Sequence, residues 1–590
     1  MIRPFPSAAM SLPHRPRRLA VTLLFTLAGL VPGFAEDKPA TTGETVKLPT
    51  FTVVDSPDLP PPESWRYARI GSFEVLSNAS DRATKDLLAD FAKFTQAMSL
   101  VWPAPARPVA AATIILCGKG GQFDSFPPAG TVRDNAIVPS VFLRDREQVA
   151  IVVDVEADRV SIDDTNLTIS NAGSAEYEVD HYKQLYREYV RYLISQSQVR
   201  PPVWLEEGLA QIIMDIELND DSLIYGKINT LKGAESGGES ADSDGTDPTA
   251  NTDAVVGEQP FNVVLQHRKL IPLGEFFALT ADDPATQNPI GNNFWAKQAY
   301  LFVHYCMFGA DLRYQPALGT FVSRLAREPL SEALFKECFK TDYQGMTKEL
   351  RGYILRTKHK YQRYALQKDD RFTAKSIELR EATPAEVALI KGDALRLGGH
   401  LDTALAAYRG GYLRGDRTPA LVAGMGVTES ALHHADRARE LLEPAVKAGV
   451  KRPSAYVELA RLRLADATAK PSSDGGKLGA AQLSAVLTPL FEARKQPPAL
   501  PETYELIADA WSRSAVAPTP ENLGVLDEGI RAFPRDNALL YHSAQLYQAA
   551  GATPVAASIA RLGLRFTADP AARAKFEQLL ASLPPAPAGK

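Results

Sequence analysis

The residues best suited to chemistry lie in one stretch, DHYKQLYREYVRYLISQSQVRPPVWLEEGLAQIIMD, from Asp180 to Asp215. Arg187 and Arg191 stand four apart, and helical spacing puts such side chains on one face. Glu188 lies between them, and Glu207 follows on a second apolar segment beyond Pro201 and Pro202. A guanidinium stays protonated at physiological pH and has no lone pair for a metal, but its fork matches a carboxylate. Three arrangements follow: an Arg/Glu network joining two helices, an arginine pair gripping a carboxylate such as a peptide C-terminus, or arginines turned to solvent. Formally, Arg187 and Arg191 balance Glu188 and Glu207 without any metal.

Other catalytic templates are poorly supported. There is no GxSxG elbow, no GxxxxGK[ST] loop and no GxGxxG after a strand. The run Gly118–Gly121 reads as a turn, and the pairs Asp163/Asp164 and Asp282/Asp283 read as exposed loops. No two histidines stand four apart. His181 precedes Glu188 by two helical turns, His304 sits among apolar residues as a core histidine would, His267 is near a loop, and His433 and His434 face different directions. Cys117, Cys306 and Cys338 are too far apart in sequence for a cysteine-built metal site, and at most one bridge could form.

The elements that must position Arg187 and Glu207 are two helices. Leu185, Tyr189, Val190 and Leu193 give the first its apolar stripe, and Trp204, Leu209, Ile212 and Ile213 anchor the second. Upstream, Phe73 and Val75, the helically spaced Leu87, Leu88, Phe91, Phe94 and Met98 within Asp81–Val101, and Ile114–Leu116 predict strand, helix, strand. Val141–Leu143 and Val149–Val153 add further strands, so the body is expected to be α+β.

With its VWLEEGLA segment this region resembles the WLxEGxA helix of thermolysin-like zinc peptidases, the gluzincins, and in particular their peptidase MA-like branch. The resemblance runs from about Ser64 to Leu355 and includes FWAKQAYLFVHY. It implies that Glu207 occupies the third-ligand position and Glu188 that of the water-activating glutamate of HExxH. Here REYVR stands in place of HExxH, so Arg187 and Arg191 fall on the two histidine positions. The resemblance therefore implies a degenerate peptidase without metal or other cofactor, in which Arg187, Arg191, Glu188 and Glu207 form a structural network.

Beyond residue 383 the chain is repetitive. Pro384, Pro419, Pro453, Pro501, Pro534 and Pro570 are spaced by 35, 34, 48, 33 and 36 residues, the long gap containing a loop-like insertion at Pro471–Gly479. Small residues Gly392, Gly426, Ala460, Ala508 and Ala544 recur where paired helices approach. Over residues 384–580 this resembles the tetratricopeptide repeat family, five degenerate helix hairpins that stack into a solenoid. Tyr408, Tyr456, Trp511 and Tyr547 are expected to pack between repeats.

The rest of the chain sets the context. Its 590 residues carry 65 Lys and Arg against 70 Asp and Glu, a net charge of −5, so there is no cationic field for nucleic acid. Arg15, Arg17 and Arg18 precede an apolar run, Leu19–Val31, with small Gly33 and Ala35 before Glu36. This reads as a signal peptide over residues 1–35, and the run is shorter than the ~20 residues that span a bilayer. Residues 36–64 read as a proline-rich linker, 361–383 as a connecting segment, and 233–258, with seven acids and no Lys or Arg, as a disordered acidic insertion. The expected protein is exported, periplasmic or secreted, without a membrane span after cleavage, and binds a protein or peptide partner through its repeats. The alternatives are an active exported metallopeptidase with atypical ligands, which alone would require zinc, and an envelope assembly or scaffold protein acting through the repeats only.

Overall fold

A computed structural model describes residues 63–102, 111–118, 121–128, 139–156, 159–162, 175–196, 201–219, 221–228, 260–286, 291, 293–325, 328–356, 358–366, 376–472, 476–567 and 569–583. The expected signal peptide, almost all of the proline-rich linker and the acidic insertion lie outside the described residues.

The α+β body opens with β1 (Arg66–Ile70), β2 (Phe73–Ser77), α1 (Asp81–Val101), β3 (Ala111–Cys117), β4 (Ser140–Arg144) and β5 (Gln148–Asp154). Ser80 caps α1 by accepting from the Ala83 N–H. Strands β2, β3 and β5 are parallel, with Val75 opposite Ile114 and Ile114 opposite Ile151. β4 is antiparallel to β5 and forms the edge of the sheet.

A parallel sheet must be covered on both faces, and the sequence supplies apolar residues at consecutive positions for that purpose. Val75, Ile114, Leu116, Ile151 and Val153 face a core shared with α1 and α2 (His181–Ser195). In that core the Phe94 and Tyr186 rings stack with centroids 3.8 Å apart, and Phe73 and Phe91 meet edge to face. Leu76, Ile115, Ala150 and Val152 point the other way, into a second core.

After β5 the chain forms the antiparallel pair β6 (Arg159–Ile162) and β7 (Ala175–Glu178), and after α2 come α3 (Val203–Met214), β8 (Glu217–Leu218) and β9 (Ser222–Tyr225). A helical layer follows: α4 (Phe261–Leu265), α5 (Leu273–Ala278), α6 (Phe294–Phe308), α7 (Gln315–Leu325), α8 (Glu332–Phe339) and α9 (Tyr343–Ile354). The segment 361–383, expected to be a connector, instead supplies β10 (Gln362–Ala365), paired with β9, and β11 (Arg380–Glu381), paired with β1. Its backbone thus closes the edges of two sheets.

The C-terminal part is an all-α array of five hairpins and a last helix. The pairs are α10 (Pro384–Leu397) with α11 (Leu401–Leu413), α12 (Pro419–Ala431) with α13 (Ala435–Lys447), α14 (Pro453–Ala469) with α15 (Ala480–Ala493), α16 (Pro501–Ser512) with α17 (Pro520–Ala532), and α18 (Asn537–Ala549) with α19 (Thr553–Phe566). The last helix is α20 (Pro570–Ser582). Five of the six spaced prolines open a helix, where the missing N–H is harmless and φ is preset. Pro534 differs: it lies in the turn before α18, which Asp536 caps instead.

Tyr408 fills the gap between α10 and α11, and a Cβ at Gly392 would collide with its ring. Tyr408, Tyr456, Trp511 and Tyr547 are all buried in the array. The first hairpins also bury the second face of the sheet: Leu76, Ile115 and Val152 share one core with Ile390, Leu395 and Tyr408. The body and the array are therefore joined by a common interior.

Gly392→Ala is expected to lower the unfolding free energy by about 1–3 kcal/mol through overpacking against Tyr408. Gly352→Ala, where a Cβ meets nothing within 4 Å, should be neutral or mildly stabilising. Urea denaturation of both variants checks the difference.

Candidate functional site

Helix α2 begins at Asp180, whose carboxylate accepts from the backbone N–H of Tyr182 and Lys183. Its buried Leu185, Tyr189 and Val190 fix its rotation against the sheet, while Leu193 is half-buried. That rotation carries Arg187, Glu188 and Arg191 toward α3. Helix α3 starts after Pro202 and buries Trp204, Leu209, Ile212 and Ile213. It also packs closely on α6, since a Cβ at Gly208 would lie 2.5 Å from Val303 Cγ2 and 2.7 Å from the Ala299 carbonyl. Only glycine fits that contact without displacing the backbone.

The four residues singled out by sequence meet between these helices. Arg187 Nη2 donates to both oxygens of Glu207, at 3.0 and 2.8 Å. Arg191 Nη2 reaches the same carboxylate at 3.1 Å, and Arg191 Nη1 donates to Glu188 Oε2 at 3.2 Å. Arg187 and Glu188 are 0% exposed and Glu207 is 3% exposed. Neither arginine is therefore a solvated face residue, and the carboxylate gripped by the pair is one the protein itself provides.

Sequence reasoning missed a second ring of partners. Ser140, at the start of β4, donates to Glu188 Oε1 at 2.9 Å. Gln211, one helical turn after Glu207, donates to its Oε1 at 2.8 Å and also to the Gly291 carbonyl. Lys297 on α6 donates to Gln211 Oε1 at 3.1 Å. Gly291 adopts φ +76°, and a Cβ there would fall 2.6 Å from Glu207 Oε1 and 2.8 Å from Arg187 Nη2. The i,i+4 spacing of Gln211 and the lone lysine in an apolar helix were readable signals; Ser140 and Gly291 had none.

Electrostatics decide the protonation of the pair. Burial would lift the Glu207 carboxyl, yet Arg187, then Arg191, then hydrogen bonds outweigh it and pull the pKa from 4.5 to about 2. Burial also opposes the charge of Arg191, and Glu188, Glu207 and Glu206 overcome it, holding the pKa above the ordinary guanidinium value.

Zinc does not fit this donor set. Arg187 and Arg191 offer guanidiniums, which have no lone pair for a metal, and the Glu207 oxygens are engaged by Arg187, Arg191 and Gln211. Among the described residues no three His, Cys, Asp or Glu side chains converge as a metal cluster would. A small cavity of about 90 Å³ beside the network is lined by Arg191, Val203, Glu206, Glu207, Thr286 and Trp295 among others, room for a few waters.

The remaining candidates lie elsewhere. His304 is fully buried between Tyr353 Oη at 2.9 Å and the Gly226 carbonyl at 2.7 Å, and burial depresses its pKa to about 3. It is a neutral core histidine. His181 opens α2, and His434 Nδ1 pairs with Glu429 at 2.7 Å in the array. Cys117, Cys306 and Cys338 form no disulfide, and burial pushes the Cys117 and Cys306 thiols well up. Asp163 and Asp164 lie outside the described residues.

No protein-family model and no curated protein matches the chain. Solved structures similar to part of it include TTC0263, a thermophilic tetratricopeptide-repeat protein of Thermus thermophilus, at 16% identity over 33% of this chain and 99% of that one, with a TM-score of 0.25. YrrB, a tetratricopeptide-repeat protein with an unusual peptide-binding site, is 14% identical over 32% and 90%, with a TM-score of 0.26. MamA protein is 16% identical over 35% and 98%, with a TM-score of 0.25. No helix of the described residues is long and apolar enough to cross a membrane.

Glu207→Ala leaves the fully buried Arg187 without its main counter-charge and should destabilise the protein by about 3–5 kcal/mol in chemical denaturation. The depressed pKa also fixes a pH dependence. Its stabilisation is complete above the unfolded value near 4.5 and is lost as pH falls through about 2. Glu207→Gln, which cannot titrate, should flatten the acid limb of the stability profile in that window, as measured by denaturation at stepped pH.

Proposed function

We propose that this protein is an exported, catalytically silent relative of zinc peptidases that binds a protein or peptide partner through its tetratricopeptide-like repeats. The observation that carries the reading is that Arg187 Nη2 donates to both oxygens of Glu207, with Arg191 on the same carboxylate. A carboxylate at the third-ligand position is thereby committed to arginines at the two histidine positions. These ion pairs tie the two helices together with no metal between them, which is what a peptidase relative that has lost hydrolysis requires. The array supports the second half of the reading, because stacked hairpins present extended surfaces suited to chain segments.

The test is metal content. The purified protein is expected to hold no stoichiometric zinc and to show no chelator-sensitive peptide cleavage; about one zinc per chain would overturn the proposal. The double variant Arg187→His with Arg191→His recreates HEYVH opposite Glu207 and is expected to take up about one zinc, read by metal analysis and by a rise in Tm on zinc addition. A folded double variant that takes up none would count against the peptidase-like assignment of these helices.

A further inference from the structure

The apolar side chains left in solvent are not scattered evenly. Of the eight large hydrophobic residues exposed among the described residues, Leu312, Leu355 and Tyr361 fall in one corner, at 49%, 66% and 49% exposure. There α6 and α9 end together, the rings of Tyr305 and Tyr353 meeting with centroids 4.8 Å apart. After α6 the chain makes a left-handed turn, with φ of +47°, +53° and +66° at Ala310, Asp311 and Leu312. Three consecutive non-glycine residues rarely adopt that region. The turn is tied down by the Leu312 N–H, which donates to the Gly309 carbonyl at 2.9 Å, and by the ion pair of Asp311 with Lys360 at 2.5 Å. That pair joins the turn carrying Leu312 to the stretch carrying Leu355 and Tyr361.

The same stretch reverses the charge of the chain. From Arg351 to Arg363 there are five Lys and Arg and no Asp or Glu, in a protein of net charge −5. Arg356, Lys358, Lys360 and Arg363 are exposed. Three carboxylates approach from neighbouring elements and each is matched: Asp311 to Lys360, Glu349 to Arg313 at 2.9 Å and Asp221 to Arg363 at 3.5 Å. Among the described residues, Arg356, whose guanidinium lies over the Tyr353 ring at 5.5 Å, and Lys358 remain as excess cations. Leu355 caps α9, Leu312 sits in a turn and Tyr361 precedes β10. Such protruding positions suit a fluid surface better than a peptide of fixed shape.

We propose that this corner docks onto the surface of an anionic lipid bilayer, with Leu312, Leu355 and Tyr361 entering the headgroup region and Arg356 and Lys358 facing lipid phosphates. The aliphatic side chains gain by leaving water, the tyrosine keeps its hydroxyl at the polar boundary while its ring is covered, and each cation gains from the negative surface potential. The excess of positive charge is the complement of such a surface. No described helix is long and apolar enough to cross a membrane, so the attachment is peripheral. This goes beyond the partner-binding reading above and does not depend on it.

The test is co-sedimentation of the full chain with vesicles of phosphatidylcholine alone or with about a quarter phosphatidylglycerol. The wild-type chain should partition about tenfold or more onto the anionic vesicles, and high salt should weaken the binding. Arg356→Glu with Lys358→Glu should lose about tenfold or more of that partition. Leu355→Ser with Tyr361→Ser should lose about tenfold, and Leu355→Ser alone carries the comparison if the pair loses its circular-dichroism signature of folding. Arg82→Glu with Lys495→Glu makes the same change of net charge at exposed positions elsewhere and should bind as the wild type does. Equal partition onto both kinds of vesicle, an equal loss in that control, or no loss from the serine variants overturns the site. So does a wild-type chain that ignores vesicles yet binds a polyglutamate peptide, which would give the corner to an acidic protein segment.

Discussion

The ion pair between Arg187 and Glu207 is the constraint on which the α+β body depends. Taking two charges out of water costs several kcal/mol each, and their attraction compensates only if geometry and hydrogen bonding are complete. Here Arg187 Nη2 donates to both Glu207 oxygens, Arg191 and Gln211 donate to the same carboxylate, and Lys297 in turn donates to Gln211. The requirement spreads outward. Gly291 must be small to let the carboxylate and guanidinium meet beneath it, and Gly208 must be small to bring α3 onto α6 at the right depth. Five polar side chains, Arg187, Arg191, Glu207, Gln211 and Lys297, thereby link α2, α3 and α6. Such a cluster favours one arrangement of helices over its neighbours more than it adds net stability.

The second organising feature is the two-faced mixed sheet, parallel at its centre. Its inner face packs on α1 and α2, which carries the network; its outer face packs on the start of the array. A shift of β5 would therefore be felt at Glu188 through the adjoining β4, whose Ser140 holds that carboxylate, and at Asp393 through Gln148. The two ends of the molecule are connected through one layer of strands.

Much of this was legible in sequence where the signal was local. Helix α1 was expected over Asp81–Val101 and has those bounds, because its apolar spacing is regular and Ser80 caps it. The spaced prolines tracked the repeat because five of them open a helix, where proline meets no steric objection, and Pro534 lies in the turn just before one. Residue types brought Arg187, Arg191, Glu188 and Glu207 forward as a set, since guanidiniums and carboxylates at that spacing have few other uses in an apolar setting. What stayed hidden was non-local. Ser140 joins Glu188 from 48 residues away and Gly291 joins Gln211 from 80, both through chain topology, and nothing in their own neighbourhoods marks them. The strands β10 and β11 are short and polar, and their pairing is set by partners far upstream.

The shared interior has a temporal side. During synthesis the ribosome releases β2, β3 and β5 more than two hundred residues before α10, so Leu76, Ile115 and Val152 emerge with one side bare. Until the first hairpins arrive, the nascent sheet is a greasy platform in search of a cover. Completion of the sheet layer is thus deferred to the last third of translation, and a chaperone that shields that surface in the interval would decide how much of the chain matures.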